Sequence, residues 1–192
     1  MKIYDCFMYF DEEVVADVRL HTLNEFVDYF VIVESKFTHK GEPRKLKFDH
    51  KKFEKFKEKI IYIIDEKVYP QIQEIQTEDS EDEKSIKLIF NATYRENGQR
   101  NLLLKGLKEA NDEDLILISD VDEIPKLTGL NFKNINEKII LFKQDMFYYK
   151  FNLWLPNLIW TGTKACRKKN LINPQWLRNI KDRKYSFFRI DT

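Results

Sequence analysis

The stretch Leu115-Ile-Leu-Ile-Ser119-Asp120-Val-Asp122-Glu123-Ile-Pro125 decides the fold. Four consecutive apolar residues bounded by polar ones read as a strand buried on both faces, as in parallel sheets covered by helices. The acids follow at once, at the carboxyl end of that strand, where open α/β sheets bind their ligands. Residues two apart share a face while a chain stays extended, so Asp120 and Asp122 are expected to converge on one point. Converging carboxylates repel each other unless a cation lies between them, and hard oxygen ligands favour Mg²⁺ or Mn²⁺. Such a cation keeps positions open for water and substrate phosphates. Pro125 stops a helix from continuing and stiffens the turn. The plainer reading is an acidic turn that caps the next helix.

Upstream, the texture alternates between strand and helix. Lys2–Phe10 is aromatic and β-branched enough for a first strand. Glu12–Phe26 places Val14, Val15, Val18, Leu23 and Phe26 near a 3.6-residue period, with Leu20 fitting less well, and Asp11 is the expected N-cap. Tyr29–Glu34 is an apolar run ending in a carboxylate, and Ser35–Lys47, with Gly41 and Pro43, reads as a basic loop. Lys51–Lys59 suggests a short charged helix with Phe53 and Phe56 inward, followed by a strand at Ile60–Ile64. The acidic run Glu78–Glu83 reads as a solvated loop, and Glu83–Ala110 as helix, interrupted near Asn97-Gly98. This order predicts an α/β domain with a mostly parallel central sheet. After Pro125, residues 139–163 are aromatic and β-rich with no clear helix between them. Lys164–Lys184 forms a basic tail of eight basic residues against one acid, Asp182. No repeat or linker divides the chain, which is read as one domain over 1–192.

Composition narrows the function. Lys and Arg number 33 against 32 Asp and Glu, so a net charge of +1 gives no argument for nucleic acid as a partner. Two cysteines are too few for a disulfide framework, and neither lies in a CxxC. The three histidines, His21, His39 and His50, all fall in the first 50 residues, which argues against a His-rich metal site. Apolar runs such as Tyr29–Val33 fall far short of the roughly 20 residues that span a bilayer. The expectation is a soluble, cytoplasmic protein with no membrane span. Asn91-Ala-Thr93 matches a glycosylation sequon, inert without export.

Three functions use an acidic pair at this position. An EF-hand needs Gly at its sixth loop position and Glu at its twelfth, and Pro125 and Asn131 stand there. A haloacid-dehalogenase-type phosphatase uses DxDx(T/V), but Ile124 replaces the Thr or Val, and the chain after Asp122 holds no paired acids. A nucleotide-sugar transferase, where DxD holds a metal on the sugar diphosphate, fits best.

Four blocks then carry a resemblance: Tyr4-Asp-Cys-Phe-Met-Tyr-Phe10; Val27-Asp-Tyr-Phe-Val-Ile-Val-Glu-Ser35 with Thr38-His-Lys-Gly41; Gln99-Arg-Asn101; and Leu115–Pro125. In this order they resemble the family 17 glycosyltransferases, with weaker similarity through Gln144–Trp154, Trp160-Thr-Gly162 and Trp176-Leu-Arg178. The resemblance implies a GT-A-type fold and inverting transfer of N-acetylglucosamine from UDP-GlcNAc to a hydroxyl of a glycan or polysaccharide acceptor. It assigns Asp120 and Asp122, with Glu123, to Mn²⁺ or Mg²⁺, and residues 1–125 to the nucleotide-sugar half. Glu34, Ser35, His39, Arg100, Asn101 and Asp120 become candidates for donor contacts, with Thr38, Lys40, Gly41 and Arg44 in a loop over uracil or diphosphate. For Glu34 the alternative is an anchor for a loop; for Arg100 it is an i,i+4 ion pair with Glu96. Asp145 and Asp182 are the candidate catalytic bases. Most of the aromatics among Phe142, Phe147, Tyr148, Tyr149, Phe151, Trp154 and Trp160 are expected in the core, with Trp154 and Trp160 the first candidates for an acceptor platform. Family members continue with a Gly-Trp-His-Phe-Ser-type segment, whereas this sequence stops at Phe187-Phe-Arg-Ile-Asp-Thr192. Residues 126–192 are therefore read as a partial acceptor-side half, short at the C-terminus. A catalytically incomplete nucleotide-sugar or glycan-binding module is the alternative.

Overall fold

The structure, a computed structural model, describes residues 1–149 and 152–182. Phe151, the last two basic residues of the tail and the segment Phe187–Thr192 lie outside the described residues. Six strands form one sheet: β1 (Ile3–Tyr9), β2 (Tyr29–Ser35), β3 (Ile60–Asp65), β4 (Leu115–Ser119), β5 (Ile139–Phe147) and β6 (Trp154–Arg167). Their order is β3-β2-β1-β4-β6-β5. The pairings among β1 to β4 are parallel, and β6 runs antiparallel to both β4 and β5. The sheet is therefore mixed, not mostly parallel. The cause lies in the second half, where among the described residues no helix stands between β5 and β6 to carry the chain back for a parallel pairing.

Alternation along the strands sorts the core into two layers. Phe7, Tyr9, Phe30, Ile32, Leu115 and Leu117 point to the face covered by the helix α1 (Glu13–Leu23). Tyr4, Cys6, Val31, Val33, Ile116 and Ile118 point to the other, against Leu102, Leu103 and Leu107 of the 3₁₀ turn that prolongs α2 (Glu81–Asn101). Each fully buried Leu, Ile or Phe contributes about 1.5–3 kcal/mol. The free Cys6 and Cys166 are packed into this second layer as small apolar groups.

Local chemistry sets the helix ends. Ser80 caps α2 and Glu83 returns the bond to the Ser80 backbone N–H, a reciprocal capping box. Glu81, Asp82 and Glu83 thus form the first helical turn, where negative charge complements the helix dipole, and not a solvated loop. The helix runs through Asn97-Gly98 without a break, because Gly98 admits the ring of Tyr69, whose carbon would lie 2.0 Å from an added Cβ. In Lys51–Lys59 only Glu54–Phe56 is helical, as a single 3₁₀ turn. The first helix starts behind Glu12, not Asp11: the Glu12 carboxylate accepts from the N–H groups of Phe10 and Asp11. Its buried face is Ala16, Arg19, Leu20 and Leu23, and Val14 and Val18 are exposed. Arg19 turns the helix away from its apolar period, for reasons found at the acidic turn.

Candidate functional site

The order β2-β1-β4 reverses the direction of chain winding, and a crevice opens beyond the carboxyl ends of strands at such a switch point. A cavity of about 900 Å³ lies there, between the end of β1, the loop at 38–42, the last turns of α2 and the turn after β4. His39, Arg100, Asp120 and Asp122 all line it. A smaller hollow of about 220 Å³ adjoins it and holds Ser35 with Thr38, His39 and Gln99.

The acidic segment is not extended. The N–H of Glu123 donates to the Asp120 carbonyl at 3.1 Å, closing a turn, while Glu123 Oε2 accepts from the Asp120 N–H at 2.9 Å. Arg19, fully buried, grips this turn from below. Its guanidinium is bidentate on Asp5 at 2.8 and 2.6 Å and donates to Ser119 Oγ at 2.5 Å. Its Nη1 donates to the carbonyls of Asp120, Val121 and Glu123, each at 3.1 Å. A buried guanidinium needs this many acceptors, and the need fixes the rotation of α1.

From above, two further arginines take the carboxylates. Arg100 Nη2 reaches Asp120 Oδ1 at 3.0 Å and Glu96 Oε1 at 2.9 Å, so its expected i,i+4 pair and its place at the cavity occur together. Arg100 Nη1 donates to Gln175 at 2.5 Å, and its Nε is buried without a partner among the described residues. Arg178, on the short helix α3 (Pro174–Asn179), bridges Asp120 Oδ2 at 2.7 Å and Glu123 Oε1 at 2.9 Å through one nitrogen. Burial pushes the Asp120 carboxyl up, but the charges of Arg178 and Arg100 outweigh it and hold the group below the usual Asp range.

Glu123 is 8% exposed, and Oε1 also accepts from the Trp160 indole at 2.6 Å. Thr163 Oγ1 donates to the Glu123 carbonyl at 2.6 Å. Gly162 permits this packing, since a Cβ there would lie 2.3 Å from Gln144 Oε1 and 2.9 Å from Glu123 Cδ. With both oxygens engaged and no place on the cavity wall, Glu123 serves as the keystone of the turn and not as an open ligand. Asp122 differs: it is exposed, it lines the cavity, and its carboxylate has no hydrogen-bond or ion-pair partner among the described residues.

Other expected residues divide. Glu34 is fully buried and accepts from the N–H groups of Lys47 and Phe48 at 2.6 and 3.0 Å and from Tyr62 Oη at 2.7 Å. It anchors the basic loop, with Arg44 at 3.0 Å, and does not reach the cavity. Asn101 accepts from the Gln175 N–H at 3.0 Å and fastens α3 to α2. Asp145 and Asp182 are exposed and off the cavity wall. Phe142 is buried, but Phe147, Tyr148, Tyr149, Trp154 and Trp160 are 40–87% exposed. The β5–β6 hairpin carries them past the rest of the sheet, so most of these aromatics are not core.

Among the described residues, no group of three His, Cys, Asp or Glu side chains stands together as a ligand set. Asp120 and Asp122 are two hard oxygen donors at the cavity rim, the chemistry that suits a dication taking its other ligands from phosphate and water, with both Asp120 oxygens held by arginines. The profile of Glycosyltransferase family 17 matches residues 1–173. The chain belongs to glycosyltransferase family 17. Among curated proteins, the human beta-1,4-mannosyl-glycoprotein 4-beta-N-acetylglucosaminyltransferase is 31% identical to this family 17 chain over 122 residues, 62% of this chain and 21% of the human protein. The rat protein of that name is also 31% identical, and the mouse protein 30%, each over 20% of its own length. The family 17 chain thus matches about a fifth of these relatives. Among its described residues no helix is long and apolar enough to cross a membrane.

Proposed function

We propose that the protein is a metal-dependent glycosyltransferase of GT-A type, transferring N-acetylglucosamine from UDP-GlcNAc with inversion to a glycan or polysaccharide hydroxyl. One observation carries the reading. In a family 17 chain, Asp120 and Asp122 both line a cavity of about 900 Å³ beyond the carboxyl end of β4. The volume suits a nucleotide sugar. Asp120 and Asp122 would hold Mn²⁺ or Mg²⁺, which when bound supplies positive charge to the departing diphosphate.

The transfer itself is balanced by the protein's own groups. The acceptor oxygen forms a bond to the anomeric carbon as the bond from that carbon to the diphosphate oxygen breaks. The electron pair leaves with UDP, and the hydroxyl proton passes to a carboxylate base. The cavity-lining acids Glu12, Glu42 and Glu96 are the groups to test for that role. On this reading Arg100, which lines the cavity, holds the diphosphate, and His39 with Ser35, which line the adjoining hollow, contact the nucleoside. The exposed Trp154 and Trp160 offer apolar ring faces to an acceptor sugar. On this reading residues 1–125 form the nucleotide-sugar half and 126–192 part of the acceptor side of one domain. The protein's setting, on the same reading, is cytoplasmic. Family membership sets the phosphatase alternative aside.

Calorimetry with UDP-GlcNAc tests the proposal. Binding should require Mn²⁺ or Mg²⁺ and weaken at least about tenfold in Asp122→Ala at unchanged melting temperature. Binding of equal strength without a dication, or in Asp122→Ala, overturns it.

A further inference from the structure

Arg178 stands where the proposed donor site needs an open carboxylate oxygen. Its Nη2 lies 2.7 Å from Asp120 Oδ2 and 2.9 Å from Glu123 Oε1, and Arg100 takes the other Asp120 oxygen at 3.0 Å. Asp120 therefore already faces two positive charges. A dication that arrives alone meets a neutralised ligand and a like charge at the same oxygen.

The two arginines are held differently. Arg100 has a 3% exposed side chain and is tied to Glu96, Gln175 and Asp120. Arg178 is 15% exposed, and among the described residues Nη2 is its only nitrogen with a hydrogen bond. Its remaining donors have no such hold, and its guanidinium carbon stands 6.0 Å from the Trp160 ring, a surface along which a guanidinium can slide. Arg178 also lies on a six-residue helix beyond residue 173, where the family match ends. A planar fork of donors on a loosely held side chain suits phosphate oxygens as well as it suits a carboxylate.

We propose that Arg178 is the exchangeable counter-ion of Asp120. Without donor it occupies Oδ2 and disfavours free dications; when a nucleoside diphosphate enters the cavity, Arg178 transfers to the phosphate oxygens and frees Asp120. The dication and the nucleotide then bind as a pair and neither binds well alone. This inference rests on the donor-site reading above, with Arg178 added as a residue that touches the donor.

The test is titration of Mn²⁺, followed by the electron paramagnetic resonance signal of the free ion, against the full chain with and without UDP. Arg178→Gln keeps a hydrogen-bonding side chain and removes the charge. Without UDP it should bind Mn²⁺ about tenfold more tightly than wild type, and with saturating Mn²⁺ it should bind UDP about tenfold more weakly. Arg178→Lys keeps the charge, so its Mn²⁺ affinity without UDP should stay at the wild-type level while UDP binding falls. A purely structural Arg178 moves both affinities down together. Opposite shifts in Arg178→Gln support the exchange; an unchanged or lowered Mn²⁺ affinity overturns it, and so does a tighter Mn²⁺ site in Arg178→Lys. If wild type binds neither Mn²⁺ nor UDP under any condition, the donor-site reading itself falls and the exchange with it.

Discussion

Below the Asp120–Glu123 turn, Arg19 is fully buried, and all three of its guanidinium nitrogens bond to Asp5, Ser119 and three carbonyls. Above the same turn, Arg178 reaches two carboxylates through one nitrogen, and one of them, Asp120, lines the cavity. Both are arginines on acids, yet one is held through every guanidinium nitrogen and the other, among the described residues, through one. Burial and bonding make the difference: a guanidinium sealed from water on every side cannot leave its partners without a large desolvation cost, and a guanidinium with fewer bonds and some exposure has less to lose.

Breaking the lower contact should have the largest effect. Arg19→Met leaves Asp5 buried without its partner and should lower unfolding stability by about 3–5 kcal/mol in a denaturant titration. Adding Asp5→Leu should recover part of that loss. A double variant no more stable than Arg19→Met would show that the pair is not what holds the turn. Arg178→Gln keeps a hydrogen-bond donor and should cost less, about 2–3 kcal/mol in the same titration, and a loss as large as that of Arg19→Met would erase the contrast.

A smaller effect lies behind α3. Lys164 is 1% exposed, and its ammonium donates to the Arg178 carbonyl. Burial, reinforced by Arg178 and Lys181, lowers its pKa to about 8, against the opposing pull of Glu123 and Asp120. Between about 8 and the ordinary 10.5 the unfolded chain holds more of this proton than the folded one, so the contribution of Lys164 to stability rises with pH. Wild type should therefore gain on Lys164→Met by about 1–2 kcal/mol between pH 7.5 and pH 10. A difference that stays flat, or falls, contradicts this.

The four parallel strands were legible because each is largely apolar and rich in aromatic or β-branched residues: β1, β2 and β4 are mostly buried, and the edge strand β3 keeps the same composition although it is only half-buried. The second half was legible as β-rich over 139–163, but its antiparallel pairing and the end of β6 were not, because β6 is exposed over its first seven residues and buried only after them, so no single period describes it. The acids Asp120 and Asp122 could be read as a pair at a strand end, but the turn that aims them depends on Arg19, 101 positions away, and on Thr163. An arginine at a helical position carries no local sign that it points inward; the buried Asp5 in a strand of apolar residues was the only hint. Glu34 left both readings open, and only the positions of the Lys47 and Phe48 N–H groups decide for the loop anchor. Arg178 was visible only as part of a weak similarity block with no role attached.

The decisive experiment is a crystal grown with UDP and Mn²⁺ and measured for anomalous scattering from manganese. One manganese peak is expected within ligand distance of both Asp120 and Asp122, next to the diphosphate, with the Glu123 carboxylate still bonded to the Trp160 indole. A peak at another group of acids, or UDP bound in the cavity with no peak beside Asp122, would contradict it.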